Sequence, residues 1–194
     1  MGIVISASTV MTRAYTGNTG FKDQNFRKNR TNHEVVNADR RAMARALDRL
    51  EDLDFSSTDE DDTKSIYNTV TSYLEIYNNT VTSAGDSKTS QINRTAREMK
   101  KLMKQHSDEL EAIGISIKSN GAVKIDKDTL QKATTRQVSR VFGSSDYLGD
   151  MKTLMRRLRN QVNREVPGID QQNEPVKNDT LTSETVGTNL NLYV

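Results

Sequence analysis

The sequence contains no cysteine and no tryptophan, and only two prolines and two histidines in 194 residues. Each shortage removes a class of explanation. Without cysteine there is no disulfide framework, no thiolate zinc site and no thiol nucleophile. The histidines, His33 and His106, stand in unrelated contexts, so no nucleophile–base pair can be assembled around them. No stretch approaches the ~18 apolar residues of a membrane-spanning helix. The opening "MGIVISAS" lacks the basic start and the length of a secretory signal, although it fits the Met-Gly-x-x-x-Ser pattern of N-myristoylation. Apolar residues make up 34% and mean hydropathy is -0.75, too polar for a large round core. Helices that each bury one stripe need fewer apolar residues.

Carboxylates are plentiful, but they lie in runs that read as exposed. A pair poised for acid–base work needs apolar surroundings to separate its pKa values. "DEDD" at 59–62 lacks the central Gly and terminal Glu of a calcium loop. "GSSDYLGD" at 143–150 has glycines but no following Lys, so it is not a phosphate loop. The sequence therefore offers no catalytic, cofactor-binding or metal-binding residues, and it reads as a non-enzyme.

The formal net charge of +2 hides segregation. Residues 48–62, "DRLEDLDFSSTDEDD", are acidic, and 152–164, "KTLMRRLRNQVNR", are basic. A basic helix face can bind nucleic acid. No aromatics interleave these cations and no groove-reading motif accompanies them. The blander reading, a solvated face or one paired with acidic neighbours, is favoured.

Residues 1–31 are rich in Ser, Thr, Asn, Gly and Arg, residues 167–194 are dominated by Asn, Thr and Glu and hold both prolines, and both segments are expected to be flexible. Between them, 32–166 carries helical periodicity. The first helix is expected from Asn32, as N-cap, to about Leu53, with Val36, Met43, Ala46, Leu47 and Leu50 on one face. A second spans about 60–83, where Ile66, Val70, Tyr73 and Tyr77 step by four, three and four. A third spans about 87–112, where Ile92, Ala96, Met99, Met103, His106, Leu110 and Ile113 form a heptad-like seam. The break at 84–86 predicts that the second and third pair antiparallel. His106 reads as a partly exposed residue near a helix end. A last long helix is expected over about 145–164, stopped by Pro167.

"IGISIKSNGAVKID", residues 113–126, breaks the helical pattern. Ile115 and Ile117 alternate with polar residues, as do Val123 and Ile125, and Asn120-Gly121 is a strong turn signal. The pattern predicts a hairpin over about 115–125 with one apolar face, which two strands alone cannot stabilise. It is expected to clamp the helices by covering the exposed end of the seam. Asp126 or Asp128 then caps a short helix through about Phe142.

The order Leu110, Ile113-Gly114-Ile115, Gly121, Val123, Ile125-Asp126, Leu130, Ala133, Val141-Phe142 resembles a block in the C-terminal region of the bacterial flagellar filament-capping family, also called hook-associated protein 2. "VTSYLEIYNNTV", with Tyr77-Asn78, is similar to the helix that precedes that block. The resemblance covers about 64–162. It implies a helical stalk, a part in assembly, and export without a cleaved signal peptide. The family's globular heads and long terminal helix have no counterpart in these residues.

The sequence thus predicts a mainly α fold: an elongated antiparallel helical bundle or coiled coil with one small β-hairpin. The expected function is a structural or assembly module of flagellar-capping type that binds proteins, either its own copies or flagellar axial components. A helical adaptor or secreted effector is the alternative. A nucleic-acid binder acting through 152–164 is the weaker one.

Overall fold

The computed structural model describes residues 27–172. Most of the two segments expected to be flexible lies outside that range. The described part is mainly helical with one two-stranded antiparallel sheet.

Four long helices form the frame. Helix α1 (Asn32–Glu51) starts at Thr31, not at Asn32. Thr31 and Glu34 form a reciprocal capping box, which satisfies two otherwise orphaned backbone donors. Asn32 instead donates its amide to the Ser83 carbonyl at 2.9 Å. Helix α2 (Glu60–Gly85) is capped by Asp59, with Glu60, Asp61 and Asp62 in its first turn, where negative charge suits the helix dipole. Helix α3 (Ser90–Gln105) is strongly amphipathic. Helix α7 (Ser145–Glu165) starts at Ser144, whose side chain accepts from the Tyr147 N–H.

α1 packs on α2 and α7, and α3 packs on α2 and α7, so the four close a ring. Cross-links fix their directions. Thr80 meets Asp39, Asn93 meets Gly85, Thr95 bonds Gln161 at 3.0 Å, and Lys152 reaches Asp48 and Glu51. Neighbouring helices are therefore antiparallel, the up-down-up-down arrangement of a four-helix bundle. The expected α2–α3 pairing is present: Ile66, Val70, Tyr73, Tyr77, Ala96, Met99, Met103 and Leu110 are all at most 1% exposed.

The connection from α3 to α7 carries the remaining elements: α4 (Ser107–Glu111), β1 (Ile115–Ile117), β2 (Val123–Ile125), α5 (Lys127–Lys132) and α6 (Thr135–Phe142). Two expected helices are each divided here. The seam helix breaks at His106, which leaves the helical region at φ -107, ψ 22. The helix after the hairpin breaks at Ala133, where Thr134 and Gln137 form a second capping box and begin α6.

The strands occupy the expected residues, with Ile115 opposite Ile125 and Ile117 opposite Val123. The turn differs in type. Gly121 N–H donates to Lys118 O and Lys118 N–H to Ala122 O, both at 2.8 Å. Those bonds enclose a three-residue loop with Gly121 at φ +83, the type I turn plus bulge rather than a two-residue Asn-Gly turn. Gly114 is confined as well. Its φ is +81, and a Cβ there would lie 2.6 Å from the Thr129 Cβ.

The hairpin packs on two sides. β1 rests against α4 at the end of the seam, with Ile115 and Val123 buried, and β2 lies along the flank of α2. Asn78 donates to the Val123 carbonyl at 2.9 Å and accepts from the Val123 N–H at 2.7 Å. Tyr77 Oη donates to the Gly121 carbonyl at 3.1 Å. One side-chain amide thus supplies what a third strand would. α6 also packs on α4, through Val138, Val141 and Phe142, all fully buried. Phe142 stacks edge-on against Tyr73 and Tyr147.

Residues on both sides of the expected 32–166 domain join the packing. Arg27 donates to both carboxylate oxygens of buried Asp39, at 2.8 and 3.0 Å. Burial pushes the Asp39 pKa up, while Arg27 and Ser83 pull it down. After Pro167, Gly168 turns at φ +80, and α8 (Ile169–Gln172) returns to α1 and α7. Ile169 is fully buried. Asp170 accepts from Arg40 at 2.5 Å, Arg159 at 2.9 Å and Asn163 at 3.0 Å.

Candidate functional site: a lysine-lined groove

The basic run of the sequence lies on α7, and its cations are engaged within the fold. Lys152 pairs with Glu51 at 2.6 Å and Asp48 at 3.0 Å. Arg157 pairs with Glu98, and Arg159 with Asp170. Arg164 donates to Gln91 at 3.0 Å and Arg156 to Thr153 at 2.9 Å. Arg40 on α1 joins this face. Burial lowers its guanidinium to about 10, against the pull of Asp170. Phosphates arriving at Arg40, Lys152, Arg157 or Arg159 would have to displace carboxylates already in place.

The uncompensated positive charge lies elsewhere. α3 buries Ile92, Ala96, Met99 and Met103, so the helical period turns Lys100, Lys101 and Lys104 outward. The hairpin folded along α2 stands beside that face. Between them runs a groove of about 770 Å³, walled by Lys100, Lys101, Lys104 and Ser107 on one side and by Lys118, Ser119 and Asn120 on the other. Ile117 and Glu111 complete it.

Three bonds fix this geometry: Asn78 holds β2 by both backbone groups, and Tyr77 holds the turn. Gly121 lets the turn come down on the Lys100 stem, since a Cβ there would lie 2.5 Å from Lys100 Cδ. Among the described residues, none of Lys100, Lys101, Lys104 and Lys118 forms an ion pair. Glu111 is the one acid among the lining residues, against four ammonium groups.

Ammonium groups on flexible stems act as point charges, without the rigid bidentate fork of arginine. They suit carboxylates or phosphates presented on a flexible chain. No aromatic side chain lines the groove, so it offers no platform for stacking bases. An acidic polypeptide therefore matches it better than a single nucleic-acid strand does.

The other sequence candidates fall into structural places. His106 is the C-cap of α3, half-buried, with its ring edge-on to Tyr147 at 5.3 Å. Tyr147 and Tyr73 share a hydrogen bond of 2.5 Å, and burial raises the pKa of both. "DEDD" is the cap and first turn of α2. "GSSDYLGD" is the end of α6 and the start of α7. Among the described residues no cluster of His, Asp and Glu could hold a metal ion, and no helix is long and apolar enough to cross a membrane.

The motif that carried the flagellar resemblance consists of packing and turn positions. Leu110, Ile113, Ile115, Val123, Leu130, Val141 and Phe142 are buried, and Gly114 and Gly121 adopt positive φ. Sequence reasoning missed the groove. Its lysines had only one signal, a cationic stripe opposite a clean apolar one, and what matters is that among the described residues no acid closes an ion pair with them, which tertiary structure decides. No family model matches the chain, and neither a curated protein nor a solved structure does.

Proposed function

We propose that this chain is a structural and protein-interaction module that holds an acidic partner segment in the groove between α3 and the hairpin. The observation that carries the reading is the set of four lysines around that one groove that form no ion pair among the described residues. The groove's fixed wall supports it, because docking onto a prearranged surface loses less entropy than docking onto a mobile one. The flagellar-capping resemblance supports a part in assembly and export, since it implies a unit built into a larger protein structure.

The test is titration of a fluorescent Asp/Glu-rich peptide against the whole chain. Binding should weaken steeply with salt, as screening shortens the reach of surface charge from ~30 Å at 0.01 M to ~3 Å at 1 M. Replacing Lys101 and Lys104 together with Glu should abolish it, while replacing Arg156 and Arg157 with Glu should leave most of it. Equal loss in both variants would show bulk charge at work and end the reading.

A further inference from the structure

We infer that the acidic segment for this groove is carried by a second copy of the same chain, on the tip between α1 and α2; the inference rests on the docking reading above. Asp52, Asp54, Asp59, Glu60, Asp61 and Asp62 are all exposed there. The tip has little compensation of its own. Lys64 pairs with Glu60 at 2.8 Å and approaches Asp61 at 4.0 Å. Asp54 and Asp62 accept only from serine hydroxyls or backbone, through Ser56 and Ser57. Burial does not weaken these charges, since Asp54 and Glu60 are fully exposed.

Tip and groove are opposite in sign and in shape. The tip is a convex turn ending in the first turn of α2. The groove is concave, about 770 Å³. Both are anchored on α2 at different heights. The groove's hairpin wall is fixed at Asn78. At ~1.5 Å of rise per residue, Asp61 stands roughly 25 Å further along the helix. The tip therefore cannot reach its own groove, and its carboxylates are available only to another molecule.

A contact between two different patches is heterologous. It propagates into open chains unless the rotation between copies closes a ring. Such an arrangement explains why two uncompensated patches coexist on a chain whose net charge is only +2. Each would be neutralised in the assembly rather than in the monomer.

The experiment is sedimentation of the full chain at about 10 mM and at about 1 M salt, where the screening length is ~30 and ~3 Å. At low salt the weight-average mass should at least double from the 21.8 kDa monomer as concentration rises, and at high salt it should return to monomer. Glu60→Lys with Asp61→Lys, or Lys101→Glu with Lys104→Glu, should each hold the chain monomeric. Glu60, Asp61, Lys101 and Lys104 are all exposed, so folding, checked by circular dichroism, should be unchanged. The two variants mixed, or combined in one chain, should associate again because tip and groove are complementary once more. A wild-type chain that stays monomeric at low salt overturns the inference, as does association that survives the lysine reversals. A parallel titration with a peptide of residues 52–64 and with duplex DNA separates the two readings. Peptide bound by a monomeric chain leaves the groove a docking site for a foreign acidic segment. Neither ligand bound ends both readings, and DNA bound in preference to peptide ends both as well.

Discussion

α7 and α3 are both cationic helices on the same bundle, and their charges meet opposite fates. On α7, Lys152, Arg157 and Arg159 each find a carboxylate brought in from α1, α3 or α8. On α3, Lys100, Lys101 and Lys104 find none among the described residues. The denser basic run in the sequence is thus the quieter surface in the fold. Charge along a chain shows only what has to be compensated; the packing of neighbours decides what is. Interaction surfaces follow from the residue left over.

The comparison can be broken most severely from the inside of α3. Met103 is fully buried between α2 and α7 elements, so Met103→Asp should destabilise the fold by roughly 3 kcal/mol or more, through a lost packing group and an unpaired buried charge. Lys104, one residue along on the outer face, should tolerate Glu with a change within ~0.5 kcal/mol. Paired chemical-denaturation curves measure both. Similar midpoints would mean that α3 has no distinct inner and outer faces.

Next in size is the groove wall. Asn78→Ala would strand the Val123 N–H and C=O in a half-buried place, at a cost of about 1–3 kcal/mol. Amide exchange should rise across 115–125 and acidic-peptide binding should fall, with α7 unaffected. Unchanged exchange there would mean that Asn78 does not hold the hairpin.

The α7 side is sharpened by pH. Burial raises the Asp170 pKa, but Asn163, Arg40 and Arg159 outweigh it and hold the group below its ordinary 3.8. A depressed carboxylate contributes stability that is present above its unfolded pKa and lost as pH falls through the folded one. Asp170→Asn should therefore destabilise at neutral pH, and its difference from wild type should shrink as pH drops below about 4. A difference that stays constant down to acid would remove the ionic part of this contact. Smallest of all, Lys152→Ala breaks a half-exposed pair and should change stability by under about 1 kcal/mol, while leaving acidic-peptide binding intact.

Much of this fold is legible in the residues. Three of the four long helices start and stop within a few positions of where periodicity and caps place them, the third breaks at His106 instead of running on to about 112, and Ile115, Ile117, Val123 and Ile125 lie in the strands that their alternation predicts. Two boundaries had readable signals that went unused. Thr31-x-x-Glu34 and Thr134-x-x-Gln137 are capping boxes, and each marks a helix start better than apolar spacing does. Other features have no local signature. Nothing near Pro167 announces that Ile169 is buried against α1 and α7, because that depends on a docking place more than a hundred residues away. The placement of the hairpin on the α2 flank likewise depends on Asn78 and Tyr77, whose roles appear only when α2 and β2 are side by side.

That asparagine has a consequence for how the chain is made. Asn78 precedes its partner Val123 by 45 residues, and α2 itself lies wholly upstream of the hairpin. During synthesis, at ~5–20 residues per second, α2 leaves the ribosome seconds before the strands do. The receptor is translated before the ligand. Two short strands that would be marginal alone emerge beside a helix that already carries the donor and the acceptor they lack, so the vectorial order of translation and the order of dependence in the fold run the same way.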